Sequence, residues 1–261
     1  MGTTRMKEVF GRDKNILIGM IHLPPLLSIE GFPGIEPMIE GALKDLAALE
    51  AAGFDGALVE NDNDRPHTEF ANDAQIATLT RVAAEVTKQA SIPVGVQMML
   101  NDWKASFAIA RAVDAAFTRL DVFVDDVTSE WGEIHPDPDQ IMMYKKEIYP
   151  ELFLCTDIQV KYKTMITPRP LEESARLALE KGSDALVITG TATGVETPTE
   201  KLIAIRTAFP EVPIIIGAGL TAENAAEQLT YANGALVGTS IKTGDRVDVE
   251  KARAVRAAAS K

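Results

Sequence analysis

The chain has a single cysteine, Cys155, in 261 residues, so it builds no internal disulfide and no multi-cysteine zinc or iron–sulfur site. Aromatic residues make up only 6%, which leaves Ala, Val, Ile, Leu and Met to fill the core. Positive charge is in deficit: 26 Lys and Arg stand against 38 Asp and Glu, a net charge of −12. A surface of that sign repels phosphate backbones and anionic lipid, which argues against nucleic acid as a binding partner. No apolar run approaches the ~20 residues of a membrane span, and Met1–Asn15 has no stretch of signal-peptide type. A cytoplasmic protein is expected. No Ser/Gly/Pro-rich linker divides the chain, so we expect one domain over residues 1–261, with residues 1–14 as a short N-terminal extension.

What is present is an alternation of two hydrophobic periods. Short β-branched runs, each followed by an amphipathic stretch, recur about every 25–35 residues. The runs are Ile16–Leu23, Gly56–Asn61, Ile92–Met99, Leu120–Asp125, Leu152–Lys161, Ala185–Gly190, Val212–Gly217 and Gly234–Thr239. Eight such units in this length predict an α/β fold, a (β/α)8 TIM barrel. A doubly wound open sheet shares the alternation, but no GxGxxG follows the first run. The longest loops, Pro24–Glu36 and Asp126–Asp137, are expected to be lids or to contact substrate.

Barrel enzymes carry their chemistry at the C-terminal strand ends, and here those ends are polar: His22, Glu60, Asn61, Gln97, Asp125, Asp157, Lys161 and Thr189. Alternation along the fifth run puts Asp157, Gln159 and Lys161 on one face, opposite Leu154 and Ile158. That points Asp157 and Lys161 into the mouth, where Lys161 reaches back to pair with Asp157 or acts as a Schiff-base nucleophile. Glu60, Asp62, Asp125 and Asp157 form a candidate carboxylate cluster, sharing protons or holding a divalent metal such as Mg²⁺. His22 is a candidate general base. No dedicated metal-ligand set is assigned.

The last two units carry a phosphate signature. Gly217-Ala218-Gly219 and Gly238-Thr239-Ser240 are glycine turns after strands seven and eight, with Lys242 beside them. Glycine lets backbone N–H groups approach an anion, and the hydroxyls add donors. A small phosphorylated metabolite is the expected ligand.

With Gly19-Met20-Ile21-His22-Leu23-Pro24-Pro25-Leu26, Gly53-Phe54-Asp55-Gly56 leading to Glu60-Asn61, Thr189–Gly194, Gly217–Asn224 and Val237–Lys242, the chain resembles the BtpA family, which includes the SgcQ-type proteins. The resemblance implies a ribulose-phosphate-binding-type barrel. Departures from the family pattern lie at Asp62–His67, at Tyr162 where a histidine is usual, and at Asp125–Gly132, and they imply a substrate of its own. Two functions are carried forward. One is an enzyme of isomerase, aldolase/lyase or nucleosidase-like type acting on a small phosphorylated or ribose-bearing metabolite. The other is a non-catalytic assembly or regulatory factor, motivated by the family's association with photosystem I biogenesis. An acidic barrel with a helical shell is also expected to form a homo-oligomer.

Overall fold

The β-branched runs become strands and the amphipathic stretches helices. In the computed structural model, which describes residues 2–260, the chain opens with α1 (Gly2–Phe10), β1 (Ile16–His22), α2 (Ile35–Ala51), β2 (Gly56–Glu60), α3 (Asp73–Gln89) and β3 (Val94–Gln97). It continues through α4 (Trp103–Ala112), β4 (Phe117–Leu120), β5 (Val127–Ser129), β6 (Gly132–Ile134), α5 (Pro138–Ile148), β7 (Phe153–Ile158), β8 (Thr164–Met165) and α6 (Leu171–Glu180). The last third holds β9 (Ala185–Ile188), α7 (Thr199–Ala208), β10 (Ile214–Ile216), α8 (Ala225–Gln228) and β11 (Gly234–Val237). A 3-10 turn (Thr239–Ile241), β12 (Lys242–Thr243), β13 (Arg246–Val247) and α9 (Val249–Ala258) finish it.

Eight parallel strands close in the order β1-β11-β10-β9-β7-β4-β3-β2, the expected (β/α)8 barrel. Helix starts are set by local chemistry. Asn72 and Gln75 form a capping box on α3, Asp102, Asp137 and Asp248 cap α4, α5 and α9, and Pro138 sits in the first turn of α5.

Strand alternation sorts the core into two shells. Outward residues such as Leu17, Val59, Val96, Leu154 and Ile188 pack under the helices. Inward residues, among them Ile16, Ile18, Leu58, Phe117, Phe153, Val187 and Ile215, fill the barrel. The expected N-terminal extension is largely the helix α1, whose Met6 and Phe10 belong to that inner cluster and close its lower end. Phe10 meets Phe117 at 5.2 Å and Phe153 at 6.0 Å between ring centres. Burying such a ring contributes roughly 1.5–3 kcal/mol.

The fourth strand falls earlier than the sequence suggests, at Phe117–Leu120 and not Leu120–Asp125. The run after Leu120 stays buried because Phe123 joins the outer core and Val122 packs with Val127 and Ile134. Its apolar character reflects loop packing. The loop Asp126–Asp137 is itself a β5–β6 hairpin, extended by β8 into a small antiparallel sheet above the barrel.

Candidate active site at the barrel mouth

The inner layer turns polar at the top. His22, Glu60 and Gln97 end three adjacent strands in register, so His22 and Glu60 are direct neighbours. His22 Nε2 lies 3.1 Å from Glu60 Oε1 and its Nδ1 lies 3.6 Å from Asp62 Oδ2. Glu60 is buried, and its second oxygen, Oε2, has no hydrogen-bond partner. Burial pushes the Glu60 carboxyl up, but the His22 hydrogen bond and the charges of His22 and Arg119 outweigh it and hold it below the usual value. It is therefore ionised across the neutral range.

Across the mouth, Arg119 at the end of β4 grips Asp157 on β7 with two hydrogen bonds, Nε to Oδ1 at 2.7 Å and Nη2 to Oδ2 at 2.8 Å. Burial works against both charges, and a bidentate geometry is what offsets it. Asp157 and Asp121 hold the guanidinium protonated beyond its ordinary range against that burial. Burial lifts the Asp157 carboxyl above its ordinary value against the pull of Arg119. Asp121 accepts from Lys163 Nζ at 3.1 Å and from Gln97 Nε2 at 2.8 Å. Its carboxyl is driven far below the usual range: burial raises it, and Lys163, Arg119 and Lys161 more than reverse that.

These groups line a cavity of two joined lobes. The first, about 230 Å³, is walled by Gly217–Thr221, Gly238–Ser240, Thr193 and Gly194. The second, about 300 Å³, lies under the β5–β6 hairpin against Trp131, Tyr162, Lys163, His67 and Leu100. Glu60, Asp62, Arg119, Lys161 and Thr193 belong to both. In the first lobe, Gly219 has φ +74, and a Cβ there would stand 2.3 Å from the Val195 carbonyl, so only glycine fits the turn. Asn224 pins that turn, accepting from Thr221 N–H at 2.8 Å and donating to the Gly219 carbonyl at 3.0 Å.

Of the residues singled out from sequence, His22, Glu60, Lys161, Gly217, Gly219, Gly238, Thr239 and Ser240 line the first lobe. The Ser240 hydroxyl is committed to the Leu220 carbonyl at 2.6 Å. Asn61, Gln97, Asp125, Asp157, Thr189 and Lys242 line neither lobe. Asn61 braces the Met99 backbone, accepting from its N–H at 2.7 Å. Thr189 Oγ1 accepts from Lys161 N–H at 3.0 Å. Lys242 lies half-buried beyond the 3-10 turn, its pKa lowered by burial against the pull of Glu60, Asp45 and Asp62.

Four expectations need correction. Asp125 is not in the mouth: its carboxylate accepts from Ser174 Oγ of α6 at 2.7 Å and from Gln159 N–H at 3.1 Å. Asp157 is paired with Arg119 and not with Lys161. Gln159 departs from strand alternation, because β7 ends at Ile158 and Gln159 adopts φ +48, sending its amide to the Arg169 carbonyl. The Pro24–Glu36 loop, expected as a lid, contributes to neither lobe. Among the described residues no group of three or more His, Cys, Asp or Glu is arranged to hold a metal ion. Of the carboxylates that suggested Mg²⁺, Glu60 and Asp62 face His22, Asp157 faces Arg119 and Asp125 faces Arg169.

Sequence reading missed Arg119, Asp121 and Lys163. The signal was there: Phe117, Arg119 and Asp121 alternate with Thr118 and Leu120, an inward-outward pattern displaced by the louder apolar run that follows.

The BtpA family model matches residues 13–261. An uncharacterized protein of Thermococcus kodakarensis is 35% identical over 240 residues, which is 91% of this chain and 91% of that one. Photosystem I biogenesis protein BtpA of Synechocystis is 29% identical over 231 residues, 87% of this chain and 80% of its own. Among solved structures, thiamine phosphate pyrophosphorylase from Pyrococcus furiosus shares the fold with a TM-score of 0.61 at 16% identity, covering 95% of this chain and 96% of that one. The opening motif, the glycine turns and the full-length match agree, and the chain belongs to the BtpA family.

Proposed function

We propose that the protein is an enzyme that binds a small phosphorylated metabolite across the barrel mouth and moves a proton on it, an isomerase or lyase reaction. The observation that carries this reading is Glu60: a buried carboxylate with one oxygen held by His22 and the other unpartnered, inside a cavity walled by glycine turns. A buried acceptor without a partner costs about 1–3 kcal/mol, and a ligand hydroxyl or a transferred proton would satisfy it. The phosphate would lie against Gly217–Gly219 and Gly238–Ser240; the Gly217 N–H is committed to the Ile188 carbonyl at 2.7 Å, so the N–H groups further along the two turns are the ones to approach it. Lys161 makes no ion pair within 4.0 Å among the described residues and borders both lobes, so its ammonium can face the phosphate or a developing oxyanion. Arg119 presents the rest of the positive charge and Asp157 positions it.

The thiamine phosphate pyrophosphorylase neighbour acts, by its name, on a phosphate compound, which is consistent with this reading at the level of fold alone. A glycosidic, nucleosidase-like cleavage is the variant in which Glu60 faces an oxocarbenium-like centre. Cytoplasmic location and a homo-oligomer belong to the same reading. The name of the Synechocystis relative favours the second reading, an assembly factor that retains the cavity without turnover.

The test is turnover on a panel of sugar phosphates and phosphoribosyl compounds by the wild type and Glu60→Gln. The enzyme reading expects a substrate whose turnover falls 10²–10⁴-fold in the variant, the size of a lost acid–base group. Turnover unchanged in Glu60→Gln would remove Glu60 from the chemistry. Phosphate binding with no turnover on any member of the panel would favour the assembly factor.

A further inference from the structure

The hairpin lobe has four basic side chains in its wall, yet it is not built as a second anion site. Arg119 is taken by Asp157 and Lys163 by Asp121. Arg65 is turned onto the carbonyls of Asp62 and Asp64. Lys161, with neither an ion pair nor a side-chain hydrogen bond among the described residues, stands where this lobe joins the phosphate lobe. Placing a second anion here would mean breaking buried pairs, each already stabilised by its own geometry.

The rest of the wall carries the acidic Glu60, Asp62, Asp121 and Glu130, none of which would welcome an anion, together with a flat apolar and aromatic stretch. Trp131 stands at the tip of the β5–β6 hairpin, facing a lobe that also holds Met99, Leu100 and Tyr162. The Trp131 and His67 rings meet at 88°, with centres 6.1 Å apart, which braces the indole plane. Tyr162 is fixed across the junction, its phenolic oxygen accepting from Thr193 N–H at 2.7 Å. His67 meets Arg65 Nη1 through Nε2 at 2.5 Å, and its Nδ1 is buried without a partner. Burial and the charge of Arg65 hold this imidazole below its ordinary pKa, so it is neutral at pH 7 and adds no charge.

Resting on the phosphate reading above, we infer that the hairpin lobe recognises a planar, uncharged ring with hydrogen-bonding edges. The ring is carried by the same metabolite whose phosphate lies on the glycine turns, and Trp131 is its stacking face. The carbons linking ring and phosphate then pass Glu60 and Lys161, which border both lobes. Stacking of a ring on an indole strengthens binding by roughly tenfold or more.

The probes are inorganic phosphate, ribose 5-phosphate, the purine and pyrimidine nucleoside 5′-monophosphates, and the free nucleosides. Affinity is read by calorimetry, and contact by quenching of indole fluorescence. At least one nucleoside monophosphate is expected to bind about tenfold more tightly than ribose 5-phosphate. Trp131→Ala should erase that gain and leave ribose 5-phosphate affinity unchanged, while Trp131→Phe should keep most of it. Thr239→Glu, which adds a negative charge on the exposed rim of the other lobe, should weaken every phosphorylated probe and spare the free nucleosides. If no nucleotide binds more tightly than ribose 5-phosphate, or if Trp131→Ala retains the gain, the ring subsite is overturned. If inorganic phosphate and ribose 5-phosphate both fail to bind, the phosphate reading is what fails. The ring inference is then decided by free nucleosides: binding that depends on Trp131 supports it, and none refutes it.

Discussion

The two ends of the barrel interior are made by the same eight strands and follow opposite rules. At the bottom, Met6, Phe10, Phe117 and Phe153 meet one another through apolar contact, with the Arg5 guanidinium 5.8 Å from the Phe153 ring centre, and shape more than partner identity decides the fit. At the top, Arg119, Asp157, Asp121 and Lys163 are as deeply buried, but each depends on a particular partner. Removing one strands the other. The bottom therefore stores stability that is indifferent to ligands. The mouth spends some of that stability on an unpartnered Glu60 oxygen and an unpaired Lys161, which is the usual cost of a preformed site.

The largest expected effect sharpens this contrast. Arg119→Met should lower stability by ~3–5 kcal/mol, because it leaves the Asp157 carboxylate buried and uncompensated. Phe10→Ala should cost a similar ~3–5 kcal/mol through cavity formation. Denaturant melts read both losses, and ligand response separates them. Phe10→Ala should keep any phosphate-induced stabilisation, and Arg119→Met should reduce it. An equal ligand response in the two variants would break the division between floor and mouth.

Next in size is Glu60→Gln. Its loss belongs to turnover, 10²–10⁴-fold, while its stability should change by less than ~1 kcal/mol, because the amide still meets His22. A variant that unfolds would move Glu60 to the structural side of the comparison.

A smaller effect comes from pH. The carboxyls of Asp121 and Glu60 are held below their ordinary values in the folded chain, so the unfolded chain takes up their protons first as pH falls. The stability they contribute is complete above about pH 5 and declines as pH drops through the ordinary carboxylate range, about 4. Asp121→Asn should cost ~2 kcal/mol at neutral pH, the scale of a charged hydrogen bond. The gap from wild type should narrow below about pH 4. A gap that is constant from pH 7 to pH 3 would show that the Lys163–Asp121 pair does not work as described.

Much of this architecture is legible in the sequence, and the failures have physical causes. Alternating periods give the barrel, and the glycine turns announce themselves because a missing Cβ is written in the sequence. His22 and Glu60 are found because they are the last inward residues of long, regular strands. Arg119 is hidden because β4 has only four residues and a stronger apolar run follows it. Asp125 misleads for the same reason: once the strand ends at Leu120, alternation no longer says where a side chain points. Alternation led to Lys161, which does line the cavity although β7 ends at Ile158, whereas Lys163 reaches it from further along the same loop, where no periodic rule could rank it. Partner choice is also invisible in one dimension, as the Arg119–Asp157 grip across 38 residues shows.

The central claim is that the glycine turns hold a phosphate. Thermal melts in inorganic phosphate, against sodium chloride at the same ionic strength, test it most directly, with Thr239→Glu beside the wild type. At about 100 times its Kd the ligand should stabilise the wild type by ~2.7 kcal/mol, and the added carboxylate in the first lobe should abolish that shift. Equal shifts in the two proteins, or none beyond sodium chloride in the wild type, would contradict it.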